Sequence, residues 1–125
     1  MNLIIQYNLP FTSIQAGYCS LSIDISNILV DTGSATTILN ADILSTIGVK
    51  PEANDTTAQI VGIGGEESVY HKIIDFIKVE DKVITDFKID VGLLDYGFEI
   101  NGILGMDFLM KAKAIIDLRS NVLLF

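Results

Sequence analysis

The segment Ile28–Ser34 combines residue types that can do acid–base chemistry. Its apolar beginning leads directly into Asp31, which is followed by Thr32, Gly33 and Ser34. A carboxylate at the end of an apolar strand is costly unless hydrogen-bond donors hold it. The two hydroxyls, and the backbone amides exposed by a bend at Gly33, can supply such donors. We therefore interpret Asp31 as an acid that its surroundings hold in a defined position. An ordinary strand followed by an Asp-x-Gly turn would have the same sequence.

Short runs rich in β-branched residues predict a mainly β chain that positions this segment. Tyr18–Ile25 alternates apolar and polar residues with the period of a half-buried strand, and Ser26–Asn27 is interpreted as a turn. Asn40 is a good N-cap for a short helix over Ala41–Ile47, and a second short helix is predicted over Met106–Lys111. The other predicted strands are Leu3–Tyr7, Ile28–Val30, Gln59–Ile63, Ser68–Val79, Val83–Val91, Ala114–Leu118 and Val122–Phe125.

Length and composition exclude several classes of protein. The 125 residues, half of them hydrophobic, are enough for one compact domain, which we take to be residues 1–125. The net charge of −8 and the scattered basic residues argue against nucleic-acid binding, because phosphate contacts need clustered Lys and Arg. The sequence shows neither a membrane-spanning apolar run nor the basic start of an export signal. We expect no nucleic-acid or membrane partner and a cytoplasmic location.

Cys19 and His71 are the only cysteine and the only histidine. An intrachain disulfide and a structural zinc site of Cys and His ligands are therefore excluded. A Cys–His nucleophilic pair stays formally open, but no signature supports it. We expect Cys19 to be a small buried apolar residue and His71 to have a surface or structural role. No metal and no organic cofactor is expected.

Three motifs, in order, resemble those of the retropepsin-type aspartic proteases, a single-domain family with retroviral, retrotransposon and cellular members. Asp31–Ser34, after its apolar strand, resembles the catalytic loop. Gly102–Gly105 and the helix after it resemble the apolar-apolar-Gly motif, particularly as it stands in cellular and retrotransposon members. The segment between two strand-like runs that resembles the flap tip consists of Gly62, Ile63, Gly64 and Gly65.

The resemblance implies a retropepsin-like closed β-barrel or sandwich with one lobe per chain. It also implies an aspartic endopeptidase that cleaves extended polypeptides, with Asp31 as the catalytic acid and Thr32, Gly33 and Ser34 supporting its loop. We further expect the Ser34 hydroxyl to donate to the outer oxygen of Asp31. The residues implied for the flap and the substrate subsites are Gly62, Ile63, Gly64, Gly65, Ala35, Ile103 and Leu104.

The chain departs from the retroviral pattern at one pair of positions. Retroviral members usually have an Asp where this chain has Ala35 and a partner Arg where it has Met106. Because both charges are absent together, no unpaired charge is left behind. The exchange is compatible with the fold and suggests different subsite contacts and a different dimer rim.

A single aspartate motif implies two chains. Aspartic protease chemistry needs two carboxylates that share one proton, and the chain holds one Asp-Thr-Gly. We therefore predict a two-fold homodimer, in which Thr32 of each chain bonds across the axis, as the resemblance implies. Leu3–Ile5 and Val122–Phe125 either pair between chains or lie in the chain's own sheet. A non-catalytic dimerisation or peptide-binding module on the same fold is the alternative function, and an unrelated β fold with a coincidental loop is a third reading.

Overall fold

The computed structural model describes residues 1–62, 65–95 and 97–125. Strands dominate this part of the chain, and the helices are short, so the mainly β prediction is confirmed. In chain order the elements are β1 (Ile4–Gln6), β2 (Leu9–Tyr18), β3 (Leu21–Val30), β4 (Ile38–Asn40), α1 (Ala41–Ser45), β5 (Thr57–Gly62), β6 (Gly65–Val79), β7 (Lys82–Gly92), β8 (Gly102–Leu104), α2 (Met106–Lys111), β9 (Ile115–Asp117) and β10 (Val122–Leu124).

The large sheet brings distant parts of the sequence together. Its strand order is β1-β2-β3-β8-β4-β7-β6-β5, and β2 also pairs with β6, so the strands from β2 to β6 in that order form a closed ring of pairings. The β3–β8 and β4–β7 pairs are parallel. Because Val30 at the end of β3 lies beside Leu104 at the end of β8, the segments after these two strands meet at one edge of the sheet.

Strand β3 runs through the position where the sequence predicts a turn. Ser26–Asn27 is a β-bulge in which two residues face the single Ser13 of β2. Asn27 has a φ of 55°, a left-handed conformation that asparagine tolerates better than most residues. The predicted turn is therefore wrong, because a bulge and a turn use the same residue types. The extra residue shifts the alternation of side chains between the two faces of β3 by one position. The apolar residues Ile28–Val30 that follow it are all buried.

The apolar side chains form two clusters. Ile28, Leu39 and Leu104 belong to the main cluster. Because side chains alternate along a strand, the adjacent residues Leu29, Ile38 and Ile103 belong to the other cluster. We call the other the second cluster. Its buried members are Phe11, Leu29, Ile38, Val69, Ile100 and Ile103, and the partly buried Leu9, Ala58, Ile60, Leu94 and Phe98 pack against them.

Both helices begin as the sequence predicts. The side-chain oxygen of Asn40 accepts a hydrogen bond from the N–H of Ile43 at 3.0 Å, which confirms the N-cap. The first helix ends at Ser45, two residues before the predicted end, whereas Met106–Lys111 has the predicted bounds. Both described helices are far too short to span a membrane.

The terminal segments pair within the chain. Strand β1 is antiparallel to β2, and β9 and β10 form a hairpin, as the turn between the last two predicted strands requires. Asn2 bridges Val122, and the N–H of Leu3 donates to the carbonyl of Asn121 at 2.7 Å. Within the single chain these segments therefore pair with strands of their own sheets, and pairing between chains stays a prediction.

The junction between β8 and α2 packs directly on the segment that follows β3. The N–H of Met106 donates to the carbonyl of Ser34 at 2.8 Å. A Cβ on Gly105 would overlap the carbonyl of Thr36 and would lie 3.0 Å from the carbonyl oxygen of Ser34. Glycine at this position is therefore required by the close approach of two backbones.

We expect Gly105→Ala to destabilise the fold by about 2 kcal/mol, because backbone atoms cannot move aside as flexible side chains can. Urea unfolding followed by circular dichroism measures this change. An unchanged midpoint would show that the two backbones separate easily and that their close packing does not hold the segment after β3.

A charge cluster holds the loop before β5 against β6. The Nζ atom of Lys72, whose side chain is 7% exposed, lies 2.8 Å from Glu52 Oε1 and 2.8 Å from Asp55 Oδ2. Burial acts to lower the pKa of Lys72, but hydrogen bonds to both carboxylates outweigh it and raise that pKa. The hydrogen bond from Lys72 lowers the pKa of Asp55 below its ordinary value. The cluster fixes the base of the β5–β6 hairpin.

We expect Lys72→Met to lower the melting temperature by a few degrees, because two adjacent carboxylates lose their counter-charge. Since the pKa of Asp55 is lowered in the folded state, its contribution to stability is present above the unfolded-state pKa and is lost as the pH falls through the folded-state pKa. The acid-side decline in melting temperature should therefore be shallower in the variant. Lys78→Met, the same exchange on the same strand, is the control, and equal pH profiles for Lys72→Met and wild type would contradict the prediction.

Candidate active site

Asp31 follows β3 directly and is held by backbone groups on two sides. Its N–H donates to the carbonyl of Leu104 at 3.0 Å, and its Oδ1 accepts from the N–H of Gly33 at 2.8 Å. A Cβ on Gly33 would lie 3.1 Å from that carboxylate oxygen, so glycine makes the close approach of the amide possible. The half-buried carboxylate therefore has a fixed orientation and remains accessible from one side.

The Ser34 side chain supports the loop without contacting the acid. Its hydroxyl donates to the carbonyl of Thr36 at 2.7 Å, and its backbone N–H donates to the carbonyl of Asp31 at 3.2 Å. The expected hydrogen bond from the Ser34 hydroxyl to the Asp31 carboxylate is therefore wrong for this structure. The bend in the chain after Ser34 places a backbone carbonyl nearer to the hydroxyl than the carboxylate is.

A carboxylate from α2 pins the far end of the loop. Asp107 accepts from the N–H of Thr37 at 3.0 Å and from its hydroxyl at 2.7 Å. The same hydroxyl accepts from the N–H of Gly105 at 3.1 Å. Thr37 is fully buried, so these bonds satisfy polar groups that water cannot reach.

A second carboxylate, from β7, holds the neighbouring residue. Asp90 Oδ2 accepts from the hydroxyl of Thr36 at 2.8 Å, and the N–H of Asp90 donates to the carbonyl of Thr37 at 2.9 Å. The sequence analysis missed both Asp90 and Asp107. Asp90 occupies a polar position of an alternating strand and Asp107 the first turn of a helix, where acidic residues are ordinary. Neither position carries a sequence signal of its contact with the loop.

The β5–β6 hairpin contains the motif that resembles a flap tip. Gly62 and Gly65 form the last backbone pair of the hairpin. The predicted tip residues Ile63 and Gly64 lie outside the described residues. Below the tip, Ile60 and Val69 pack into the second cluster, which also contains residues beside Asp31. The hairpin and the Asp31 loop therefore share one apolar surface.

The remaining predicted subsite residues occupy three kinds of position. Ala35 is exposed on the loop itself. Ile103 is buried in the second cluster, between Leu29 and Ile38 on the neighbouring strands. Leu104 is fully buried in the main cluster, where it lies behind the loop and binds Asp31 through its carbonyl.

The lone cysteine and histidine have different surroundings from each other. Cys19 is exposed, so its predicted burial is wrong. With φ values of 50° and 68°, Cys19 and Ser20 form the tight turn between β2 and β3, where a side chain points to solvent. His71 is half-buried, and its Nδ1 lies 2.6 Å from Asp90 Oδ1. The histidine has the structural role that the sequence suggested.

An apolar face lies beside the catalytic loop. Thr32 is exposed and lines a cavity of about 260 Å³ together with Leu109, Met110 and Ile116. Met110 is 69% exposed. We call the surface around this cavity the C-terminal apolar face, with Met110 as its exposed apolar residue; other exposed apolar side chains near the C-terminus are Ile115, Leu118, Leu124 and Phe125. In residues 1–62, 65–95 and 97–125, no three His, Cys, Asp or Glu side chains are grouped to hold a metal ion.

Comparisons with known proteins agree with this geometry. A family model described as aspartyl protease matches residues 24–108, more than half of the chain, and this range includes the Asp31 loop and the Gly102–Gly105 motif. No curated protein matches the chain. Among solved structures, the chain is similar to EIAV protease complexed with the inhibitor HBY-793, with 21% identity, a TM-score of 0.63 and coverage of 91% of this chain and 100% of that chain.

The structural likeness establishes the mainly β retropepsin fold that the resemblance implied. The family model covers the acid, the strand before it and the glycine motif that packs on its loop. Sequence motif, fold and family model therefore agree on one conclusion. The chain belongs to the aspartyl protease family, as a retropepsin-like member.

Proposed function

We propose that the chain is an aspartic endopeptidase that acts as a symmetric homodimer on extended polypeptides. The observation that carries the proposal is the Asp31 carboxylate, held by the amide of Gly33 at the end of a buried strand and still partly exposed. A carboxylate that only stabilised the fold would not need one face open to solvent. Membership of the aspartyl protease family supports the same role.

The proposed reaction uses one Asp31 from each chain. The ionised carboxylate takes a proton from a water molecule, whose oxygen attacks the carbonyl carbon of the scissile bond. The other carboxyl, protonated, donates a hydrogen bond to the carbonyl oxygen as negative charge develops there. The proton taken from water then passes to the leaving nitrogen as the C–N bond breaks.

The proposed substrate path runs between the loop and the β5–β6 hairpin. The second cluster lies beneath this path: Ile103 and Val69 are buried in it, and Ile60 of the hairpin is partly buried against them. An extended peptide can form backbone hydrogen bonds with a hairpin and with a loop at the end of a strand. In this proposal Ala35 lies on the rim, Leu104 backs the loop, and the Gly62–Gly65 motif closes over the peptide.

The proposed dimer places the C-terminal apolar face and Thr32 at the axis. An exposed apolar surface of this kind is typical of a protein–protein interface. Its position next to the cavity that Thr32 lines supports an axis that passes beside the catalytic loop. Since one chain supplies a single Asp-Thr-Gly, the active site is incomplete without the second copy.

We expect Asp31→Asn to reduce peptide hydrolysis by roughly a thousandfold or more, because an amide can neither accept the proton from water nor share one with its twin. Asp75→Asn, the same exchange at an exposed position of β6, is the control and should keep wild-type activity. Cleavage of a quenched fluorescent peptide library measures both. Retained cleavage by Asp31→Asn would mean that the water is activated elsewhere.

We expect Met110→Glu to weaken the dimer, because it places a charge in the C-terminal apolar face. Activity per chain should then fall more steeply on dilution than in the wild type, in parallel with the monomer fraction from sedimentation. Val83→Glu, at an exposed apolar residue of β7, is the control.

A monomer that cleaves peptides at every concentration would refute the homodimeric mechanism. A wild-type dimer that cleaves no peptide and does not bind a statine-type hydroxyl mimic of the tetrahedral intermediate would instead favour the non-catalytic module.

A further inference from the structure

The Asp90 carboxylate joins three elements of the fold and has no part in the proposed reaction. It is 4% exposed, lies on β7 and uses both oxygens. Oδ2 accepts from Thr36 in the catalytic loop at 2.8 Å, and Oδ1 lies 2.6 Å from Nδ1 of His71. His71 is on β6, the strand that returns from the β5–β6 hairpin. One buried group therefore connects the loop to the strand that leads down from the flap motif.

The sheet itself does not require a charged residue at this position. Register partners on neighbouring strands form a row across the sheet, and that row is apolar until it reaches β7. In order, the row consists of Phe11, Leu29, Ile103, Ile38, Asp90 and His71. Burying a carboxylate carries a desolvation cost of several kcal/mol, and an apolar replacement of a buried ionic group is often neutral or stabilising. Thr36 and His71 are the side-chain contacts that offset this cost in the described structure.

The bond to Thr36 has a direct consequence for the loop. Thr36 is exposed and lies five positions after Asp31; we call residues 35–37 the outer part of the loop and residues 31–33 the inner part. The inner part is held independently by the amide of Gly33 and the carbonyl of Leu104. Because Thr37 keeps its hydrogen bonds to Asp107, loss of the Asp90 bond loosens the outer loop at Thr36 and leaves the acid in place.

We propose that Asp90 and His71 are positioning residues that act through Thr36 to hold the outer catalytic loop against β6 in the conformation that binds substrate. The inference rests on the proposed protease function. Because the link holds Thr36, next to Ala35 on the proposed substrate rim, and not the reacting acid, its loss should raise KM and leave kcat nearly unchanged.

The test compares variants that keep or remove one hydrogen bond at a time. Thr36→Val and His71→Leu should each raise KM by roughly fivefold or more, with kcat within about twofold of wild type. His71→Asn places an amide N–H where Nδ1 stands, so it should restore KM to near the wild-type value. A Thr36→Val enzyme with wild-type KM, or equal KM values for His71→Asn and His71→Leu, would overturn the proposal.

A triple variant separates positioning from stability. Thr36→Val, His71→Leu and Asp90→Leu together replace the polar link by apolar side chains and leave no buried charge at this position. We expect this protein to melt at or above the wild-type temperature and still to show the raised KM. A stable triple variant with wild-type KM would overturn the proposal, as would a KM that rises only in proportion to lost stability across the series.

Amide hydrogen exchange tests the link between Asp90, Thr36 and His71 without an activity measurement. The amide of Thr37 should exchange faster in Thr36→Val and His71→Leu than in wild type, with the amides of Asp31 and Gly33 and those of β9 and β10 unchanged. If wild-type protein cleaves no peptide, the proposed function fails, and faster exchange confined to the loop still shows that the link holds it. Unchanged exchange in the loop would overturn the positioning role whether or not the protein is active.

Discussion

The arrangement of the Asp31 loop depends on hydrogen bonds that connect its far end to carboxylates on β7 and α2. Asp31 follows a buried strand, and Thr37, six positions later, is fully buried. The buried end of the loop is stable only if its backbone and side-chain polar groups find partners, because water cannot reach them there. Asp90 and Asp107 supply these partners from β7 and α2, which are far from the loop in sequence. The far end of the loop is thus held by distant parts of the sheet and by α2, whereas Gly33 and Leu104 hold Asp31 itself.

Close backbone packing at Gly105 and the charge cluster around Lys72 also stabilise the surroundings of the Asp31 loop. Gly105 allows the β8–α2 junction to approach Thr36 and Ser34, and this contact places the N-terminus of α2 at the loop. The Lys72 cluster fixes the base of the hairpin, which shares its apolar surface with the loop. The proposed substrate side and the proposed dimer side are therefore both defined by contacts within one chain. This rigidity is what a preorganised acid–base site requires.

Local signals in the sequence predicted the parts of the fold that depend on local interactions. The N-cap at Asn40 and the turn before β10 follow from residues close in the chain. Strands β2, β4 and β8 were not predicted. Strands β4 and β8 have three residues each, too few for a periodic pattern, and their pairing is entirely long-range. The bulge at Asn27 was taken for a turn because both conformations favour asparagine. The roles of Asp90 and Asp107 could not be predicted, since only the tertiary register brings them to Thr36 and Thr37.

The claim that two Asp31 carboxyls from different chains form one catalytic centre is tested most directly by subunit mixing. Wild-type chain is held at constant concentration, exchanged with increasing amounts of Asp31→Asn chain, and assayed for peptide cleavage at total concentrations that keep all chains dimeric. The account predicts that activity per wild-type chain falls in proportion to the wild-type fraction, because a mixed dimer has one carboxyl and is inactive. Activity per wild-type chain that stays constant as inactive chain is added would contradict a shared site.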